Sequence, residues 1–303
     1  MIERRSIIAT GAFSGALLAL CLVCASVQAQ APPGRAAFTA DPRAQVRTYR
    51  LADAGQDMQY CVFVSSKVSK SKPAPLIVSL HGMGAPPTIM CNPTAVNLAE
   101  EGGYVLVAPM GYSTTGWFGS PVIRMGPGRG PPGARPPGAP PAPVAPPAPP
   151  AAAPDGPSDA QIEKWSEQDV MTVLDMMRKE FKVDPKRIYL TGHSMGGAGT
   201  LFLGSKHADL WAAIAPVAPA SFMMNNDRAQ ILGRIKAAGV PVILITGDAD
   251  EVVPPANTRL WAETLKELGV SHVYVEQPGI THGPVITSSQ KEIYDFFAKH
   301  VKN

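Results

Sequence analysis

The stretch Ile188–Gly199, IYLTGHSMGGAG, places a single serine, Ser194, between glycines at the end of an apolar run. Gly192 and Gly196 complete the pattern Gly-x-Ser-x-Gly, in which a strand turns so sharply into a helix that flanking side chains would clash. The run before the serine predicts a strand, and GGAGTLFLG after it predicts a helix. This context favours a nucleophilic Ser194 over a small residue in an ordinary turn.

On both sides of that stretch, short apolar runs alternate with amphipathic segments. This alternation predicts an α/β fold with a mostly parallel central sheet and helices on both faces. We expect strands at 46–50, 60–65, 74–80, 104–109, 187–190, 211–217, 241–247 and 272–276. We expect helices at 94–101, 166–182, 195–207, 227–238, 255–268 and 284–301.

The predicted helix that begins at Ser166 has a well-defined apolar stripe. Its apolar residues recur at three- and four-residue intervals: Val170, Val173, Leu174, Met177 and Phe181. Ser166 is a suitable N-cap, with Asp169 three residues later. Asp184 and Pro185 are expected to end the helix before the next strand.

The composition excludes some classes of function. The chain has 303 residues and a net charge of +3, and its Lys and Arg residues are scattered rather than clustered. Such a surface gives no electrostatic reason to expect a nucleic-acid partner. Nothing in the sequence specifies an oligomeric state.

The N-terminal segment is typical of a cleavable export signal. Arg4 and Arg5 precede an apolar run from Ile7 to about Ala25, and small residues follow near Ala29. The paired arginines fit the twin-arginine route, although a Sec signal can carry them too. We therefore expect a signal peptide at 1–29, a mature chain from residue 30 without stable membrane insertion, and a periplasmic or secreted location.

Two cysteines remain after the signal is removed. Cys61 and Cys91 are expected to form a disulfide, because an exported protein meets an oxidising compartment. Two buried thiols are the alternative, since geometry decides whether a bridge can close. Two cysteines do not make a metal site, and no metal or organic cofactor is implied.

A Pro-rich segment interrupts the predicted domain. Residues from about 121 to 157 are dominated by Pro, Ala and Gly and offer little apolar surface to bury. We predict an extended insert in a single α/β domain at 30–303. If the insert has a function, it could be a lid, a wall-binding spacer or a polyproline ligand.

Acidic and imidazole side chains follow the strands downstream of Ser194. Asp248, Asp250 and Glu251 come directly after a buried strand, at the sheet edge where ligands gather in open α/β folds. His282 lies in the loop after the next strand, and the order Ser, Asp, His is that of α/β hydrolases. Asp248 also suits a Gly-Asp turn, so the choice among the three carboxylates stays open here.

None of the remaining histidines combines this order with a loop position. His193 adjoins the serine and is expected to point away from it. The others begin or end predicted elements or precede a glycine turn: His81, His207, His272 and His300. His282 is therefore the candidate general base.

The segment SLHGMG supplies a candidate oxyanion hole. Gly82 and Gly84 let the backbone bend close to a substrate. An oxyanion hole needs backbone N–H groups that face the developing charge. We assign one donor to Met83 and the other to Met195, which follows the serine.

Five segments resemble a known family: LIVSLHGMG, DVMTVLDMMRKEFKVDPKRIYLTGHSMGGAGT, WAAIAPV, GDADEVVP and THG. They are similar to exported bacterial esterases with the α/β-hydrolase fold, of the polyhydroxybutyrate depolymerase and feruloyl esterase group, including its branch of predicted peptidases. The resemblance implies Ser194 as the nucleophile, Asp250 as the orienting acid and His282 as the base. It covers most of the chain from about Arg47 onward.

The Pro-rich insert departs from the family pattern and affects the rim of the site. Just before it, Tyr112 and Trp117 are candidates for an aromatic substrate subsite or for core packing. The expected function is hydrolysis of small or polymeric carboxylic esters by a serine hydrolase. A serine peptidase of prolyl-oligopeptidase type and a non-catalytic binding module on the same fold are the alternatives.

Overall fold

The structure is a computed structural model that describes residues 40–124 and 156–302. The predicted signal peptide and most of the Pro-rich insert lie outside these residues. None of the helices in the described ranges is long and apolar enough to span a bilayer.

Eight strands form a single sheet in the described part of the chain, in the order β1-β2-β4-β3-β5-β6-β7-β8. β1, β2 and β4 pair antiparallel, and the remaining neighbours pair parallel. The strands are β1 Gln45–Leu51, β2 Gln56–Val64, β3 Ala74–Leu80, β4 Val105–Pro109, β5 Val183–His193, β6 Ala213–Val217, β7 Val242–Gly247 and β8 His272–Gln277. The predicted fold class, a mostly parallel sheet with helices, is confirmed.

Helices cover both faces of this sheet. They are α1 Pro93–Gly102, α2 Asp159–Glu180, α3 Met195–Lys206, α4 Arg228–Ala237, α5 Pro255–Leu268, α6 Val285–Ser288 and α7 Gln290–Ala298. Alternate residues of each strand enter opposite cores: Val105 and Val107 pack with α2 to α5, whereas Leu106 and Ala108 pack with α1 and α7. Strands buried on both faces explain the continuous apolar runs in the sequence.

The start of α2 corrects the predicted N-cap. The helix begins at Asp159, where the Ser158 side chain and Gln161 form a reciprocal capping box. Ser166 lies buried inside the helix instead. Asp184 and Pro185, expected to end the helix, are already part of β5.

The predicted C-terminal helix over 284–301 is also wrong as a single element. The structure divides it into α6 and α7, with Ser289 between them. The Ser289 side chain donates a hydrogen bond to the Val285 carbonyl oxygen, at 2.6 Å. Such a bond to a backbone carbonyl competes with the regular helical pattern.

Cys61 and Cys91 form the predicted disulfide. Their Cα atoms lie 6.6 Å apart, within the range that a disulfide spans. Both cysteines are fully buried in the core that α1 and α7 cover. The bridge links β2 to the segment before α1.

One carboxyl group, that of Asp169 on α2, is fully buried between the helix and the sheet. The Tyr49 hydroxyl of β1 donates to its Oδ1 atom, and the Gly111 N–H donates to Oδ2 at 2.6 Å. Burial raises the pKa of Asp169 from 3.8 to about 6, although these hydrogen bonds oppose the shift. Tyr49 is the titratable side chain that faces the carboxyl group.

This shift predicts a pH-dependent stability. A carboxyl group with a raised folded-state pKa stabilises the fold most below its unfolded pKa, and that contribution is lost as the pH rises through about 6. The difference in unfolding free energy between wild type and Asp169→Asn should fall by about 2 kcal/mol between pH 4 and pH 7. Urea unfolding of both proteins at the two pH values measures it, and a difference that stays constant or grows would contradict the assignment.

Candidate active site

Ser194 lies at the turn between β5 and α3, in a backbone conformation that residues other than glycine rarely adopt. Its φ is 58° and its ψ is −113°. The Ser194 N–H donates to the Val217 carbonyl oxygen at 2.9 Å, and the Ser194 carbonyl oxygen accepts from Ala198 and Ala220 at 3.0 Å. A strained residue persists where its surroundings fix it, and strain at a serine between a strand and a helix is typical of a nucleophile elbow.

The two glycines of the motif are required by close approach. A Cβ atom at Gly192 would lie 2.8 Å from the Leu80 Cβ atom and would collide with the Gly196 carbonyl oxygen. A Cβ atom at Gly196 would lie 2.8 Å from the His81 carbonyl oxygen. The turn therefore packs directly against the end of β3, which brings the SLHGMG loop beside Ser194.

Asp250 and His282 are brought together at the carboxyl edge of the sheet. The His282 Nδ1 atom lies 2.7 Å from Asp250 Oδ2. Asp250 Oδ1 accepts the N–H groups of Val252 and Val253 at 2.9 and 2.8 Å, so the whole carboxylate is held in place. Since a carboxylate only accepts, the proton of neutral His282 is on Nδ1, and Nε2 is left as the basic atom.

The competing carboxylates are placed differently. Asp248 is exposed, and its Oδ1 atom accepts the Gly279 N–H at 2.6 Å, which is the turn-forming role expected of a Gly-Asp sequence. Glu251 is exposed. Of the three, Asp250 is the one that contacts His282.

His193 was expected to point away from the serine, and the structure places its ring against that of His282. The ring centroids are 4.5 Å apart, and His193 Nε2 donates to the His282 carbonyl oxygen at 2.9 Å. Burial, and then the proximity of His282, hold the pKa of His193 well below its usual value. His193 is thus a neutral packing and hydrogen-bonding partner of His282. No local pattern predicts this contact, because the two residues lie far apart in the chain.

Ser194 Oγ forms no hydrogen bond with His282 or with any other residue in the described ranges. Only 8% of the surface of Ser194 is exposed. In unliganded sites the bond between nucleophile and base is often long and tightens when a substrate binds. The structure therefore holds an oriented imidazole and a strained serine at the same edge of the sheet.

Two backbone N–H groups next to Ser194 lack a protein partner. Within residues 40–124 and 156–302, neither the Met83 nor the Met195 N–H donates to a protein atom, whereas the next N–H along, that of Gly84, donates to Thr114 at 2.7 Å. Met195 begins α3, where unpaired N–H groups carry partial positive charge. A Cβ atom at Gly82 would lie 3.6 Å from that of Ser194, so the two loops are adjacent.

The two aromatic candidates have different environments. Trp117 is 3% exposed and packs in the core with α2 and α3, so the structure places it in the packing role. Tyr112 is half-buried, with its ring centroid 5.1 Å from that of Trp165. Both have positive φ, 65° for Tyr112 and 63° for Trp117, which shows that the loop between them is tightly bent.

No group of three His, Cys, Asp or Glu side chains that would hold a metal ion occurs among the residues the structure describes.

Part of the chain matches a family of known hydrolases. Residues 159–238 and 227–303 match the model of the prolyl oligopeptidase family. The chain is 34% identical to Cutinase 1 of Thermobifida cellulosilytica over 101 residues. These residues make up 33% of this chain and 35% of the cutinase. The matched part of the chain thus spans about a third of the cutinase's length.

Solved structures show the same architecture. A thermostable esterase superposes over 86% of this chain and 63% of its own with a TM-score of 0.59 and 21% identity. A ferulic acid esterase from Anaeromyces mucronatus, solved with ferulic acid, superposes over 85% and 90% with a TM-score of 0.56 and 17% identity. The fold is the α/β-hydrolase fold. Within it, the chain resembles esterases of the feruloyl esterase type.

Proposed function

We propose that this protein is a serine hydrolase of carboxylic esters, with Ser194 as nucleophile, His282 as base and Asp250 as orienting acid. The observation that carries the proposal is the fully buried Asp250 carboxylate bonded to His282 Nδ1, at the sheet edge that holds a strained Ser194. A serine at its ordinary pKa is a poor nucleophile and needs such an oriented base. The similar cutinase and ferulic acid esterase support ester chemistry.

The proposed reaction proceeds through an acyl-enzyme. Ser194 Oγ attacks the ester carbonyl carbon while His282 Nε2 takes its proton, and the N–H groups of Met83 and Met195 stabilise the oxyanion. His282 then protonates the departing alcohol as the ester bond breaks. Water adds to the acyl carbon and gives its proton to His282, which returns it to Ser194 as the acid leaves.

Asp250 has a defined part in this sequence. Its carboxylate accepts from three N–H groups, those of Val252, Val253 and His282, so it stays in place while the imidazole gains and loses a proton. The negative charge beside Nδ1 stabilises the imidazolium ion that forms during attack. His193, neutral and in contact with His282, adds no competing positive charge.

The setting of the enzyme is part of the proposal. An export signal at 1–29, a single mature domain at 30–303 and a buried Cys61–Cys91 disulfide fit a periplasmic or secreted enzyme. A polyester or a feruloylated polysaccharide outside the cell would be a suitable substrate. Tyr112, half-buried in the loop that follows β4, is the remaining aromatic candidate for a substrate contact.

Labelling and hydrolysis together test the proposal. The full chain should react with a fluorophosphonate at Ser194, found by peptide mass spectrometry, and should hydrolyse p-nitrophenyl acetate. Short-chain esters, methyl ferulate and an emulsified polyester, assayed in parallel, then define the acyl and alcohol preference. Absence of both labelling and turnover would favour a non-catalytic binding module on this fold.

A serine peptidase of the prolyl-oligopeptidase type is the second candidate. The specific observation in its favour is that residues 159–238 and 227–303 match that family. Amide and ester cleavage use the same nucleophile, base and oxyanion donors, so the site geometry does not separate them. Comparing kcat/KM for an acyl ester with that for the matching p-nitroanilide separates the two activities.

A further inference from the structure

Asp169 is a buried carboxylate that the proposed mechanism does not use. It lies on α2, is fully buried, and accepts hydrogen bonds from Tyr49 and from the Gly111 N–H. Burying a carboxylate is costly unless hydrogen bonds compensate, and here one of the two comes from the short loop after β4.

That loop, which follows β4, has a conformation that needs external support. Gly111 and Tyr112 have φ values of 68° and 65°, so two successive residues are left-handed and one of them carries a side chain. Such a conformation persists when the surroundings fix it. The hydrogen bond from the Gly111 N–H to Asp169 Oδ2, at 2.6 Å, supplies that constraint at the first of the two residues.

The same loop contacts the SLHGMG segment, the candidate oxyanion hole, at two points. The Met110 carbonyl oxygen lies 2.9 Å from His81 Nε2, and the Thr114 carbonyl oxygen accepts the Gly84 N–H at 2.7 Å. Met83 lies between these two attachment points in the chain. The loop therefore fixes the backbone on both sides of the Met83 N–H.

We propose that Asp169 is a positioning residue for the oxyanion hole, acting through residues 110–114 on the segment 81–84. It does not touch the substrate; it holds the loop that aims the Met83 N–H at the developing oxyanion. This inference rests on the proposed function, because the oxyanion hole is part of that proposal. A donor displaced from its position loses much of its stabilisation of the transition state while substrate binding is little changed.

Asp169→Asn tests this role, with Asp175→Asn as the matched control. Asp175 is on the same helix but is exposed, where it pairs with Arg178 at 3.7 Å. For Asp169→Asn, kcat for p-nitrophenyl acetate should fall on the order of 10- to 100-fold, less than the loss of an oxyanion donor outright, with KM within about twofold of wild type. Asp175→Asn should match the wild type in both parameters.

A milder variant keeps the test decisive if Asp169→Asn does not fold. Tyr49→Phe removes the side-chain hydroxyl that donates to Asp169 and keeps the ring, so kcat should fall by a few-fold, again without a matching change in KM. Each variant is assayed well below its own unfolding midpoint. A general loss of packing would lower that midpoint and leave kcat at the lower temperature unchanged.

The outcomes separate this proposal from the function on which it rests. A folded Asp169→Asn protein with wild-type kcat overturns the positioning role, provided that wild type is active and Ser194→Ala is not. If Asp169→Asn is unfolded, wild-type kcat in folded Tyr49→Phe overturns it. Wild-type protein with neither turnover nor fluorophosphonate labelling would overturn both proposals.

Discussion

Replacing Ser194 with alanine is expected to lower kcat for ester hydrolysis by a factor on the order of 10⁴ to 10⁶. The variant removes the protein atom that the proposed reaction joins to the acyl group, and the remaining imidazole and N–H donors give residual catalysis at most. Initial rates with p-nitrophenyl acetate measure the effect, and fluorophosphonate labelling of the same residue should disappear.

The matched control for this variant is Ser205→Ala. Ser205 lies on α3, the helix that begins directly after Ser194. It is similarly buried, with 5% of its surface exposed compared with 8% for Ser194. It lies away from the catalytic edge, so its removal should leave kcat within a few-fold of wild type. Both variants should unfold cooperatively, and full activity in folded Ser194→Ala would rule out the proposed mechanism.

Asp250→Asn should lower kcat/KM by a factor on the order of 10³ to 10⁴. An amide has one acceptor oxygen, whereas Asp250 uses both of its oxygens, for the Val252 and Val253 N–H groups and for His282. The amide NH₂ would face Nδ1 and favour the tautomer that protonates Nε2, which removes the base. KM and the unfolding midpoint should change much less than kcat.

Asp248→Asn provides the control for the acid. Asp248 follows the same strand but bonds to the Gly279 N–H in a turn, and an asparagine oxygen accepts that bond equally well. Its kcat/KM should stay within a few-fold of wild type. If Asp248→Asn proved the more damaging of the two, Asp250 would not be the orienting acid.

Much of the fold was predictable because its signals are local. The inner strands β3, β4, β6 and β7 are buried on both faces, so each appears as a continuous apolar run such as PVILITG before Asp248. The element boundaries were less predictable where two caps competed. Ser158 and Ser166 both suit an N-cap, and the reciprocal bonds of Ser158 with Gln161 decide between them.

The candidate site also combines features that local sequence signals predict with features that depend on the fold. Ser194 was identified from a motif whose glycines are demanded by close backbone approach. The positions of Asp250 and His282 followed from the rule that loops at the carboxyl ends of parallel strands meet. Residue order and position alone leave Asp250 and Asp248 open, and the family resemblance favours Asp250. The structure places the Asp250 carboxylate, two residues further along the loop, against the imidazole.

The sequence by itself determined the α/β architecture, the strand-to-helix turn at Ser194 and the order of the candidate residues, since these depend on periodicity and on glycine sterics. Only the tertiary structure decided that His193 packs on His282 and that Asp169 supports the loop beside Met83. Those contacts join residues far apart in the chain. They depend on how α2 and the loops pack over the sheet, and neither local propensity nor spacing specifies that.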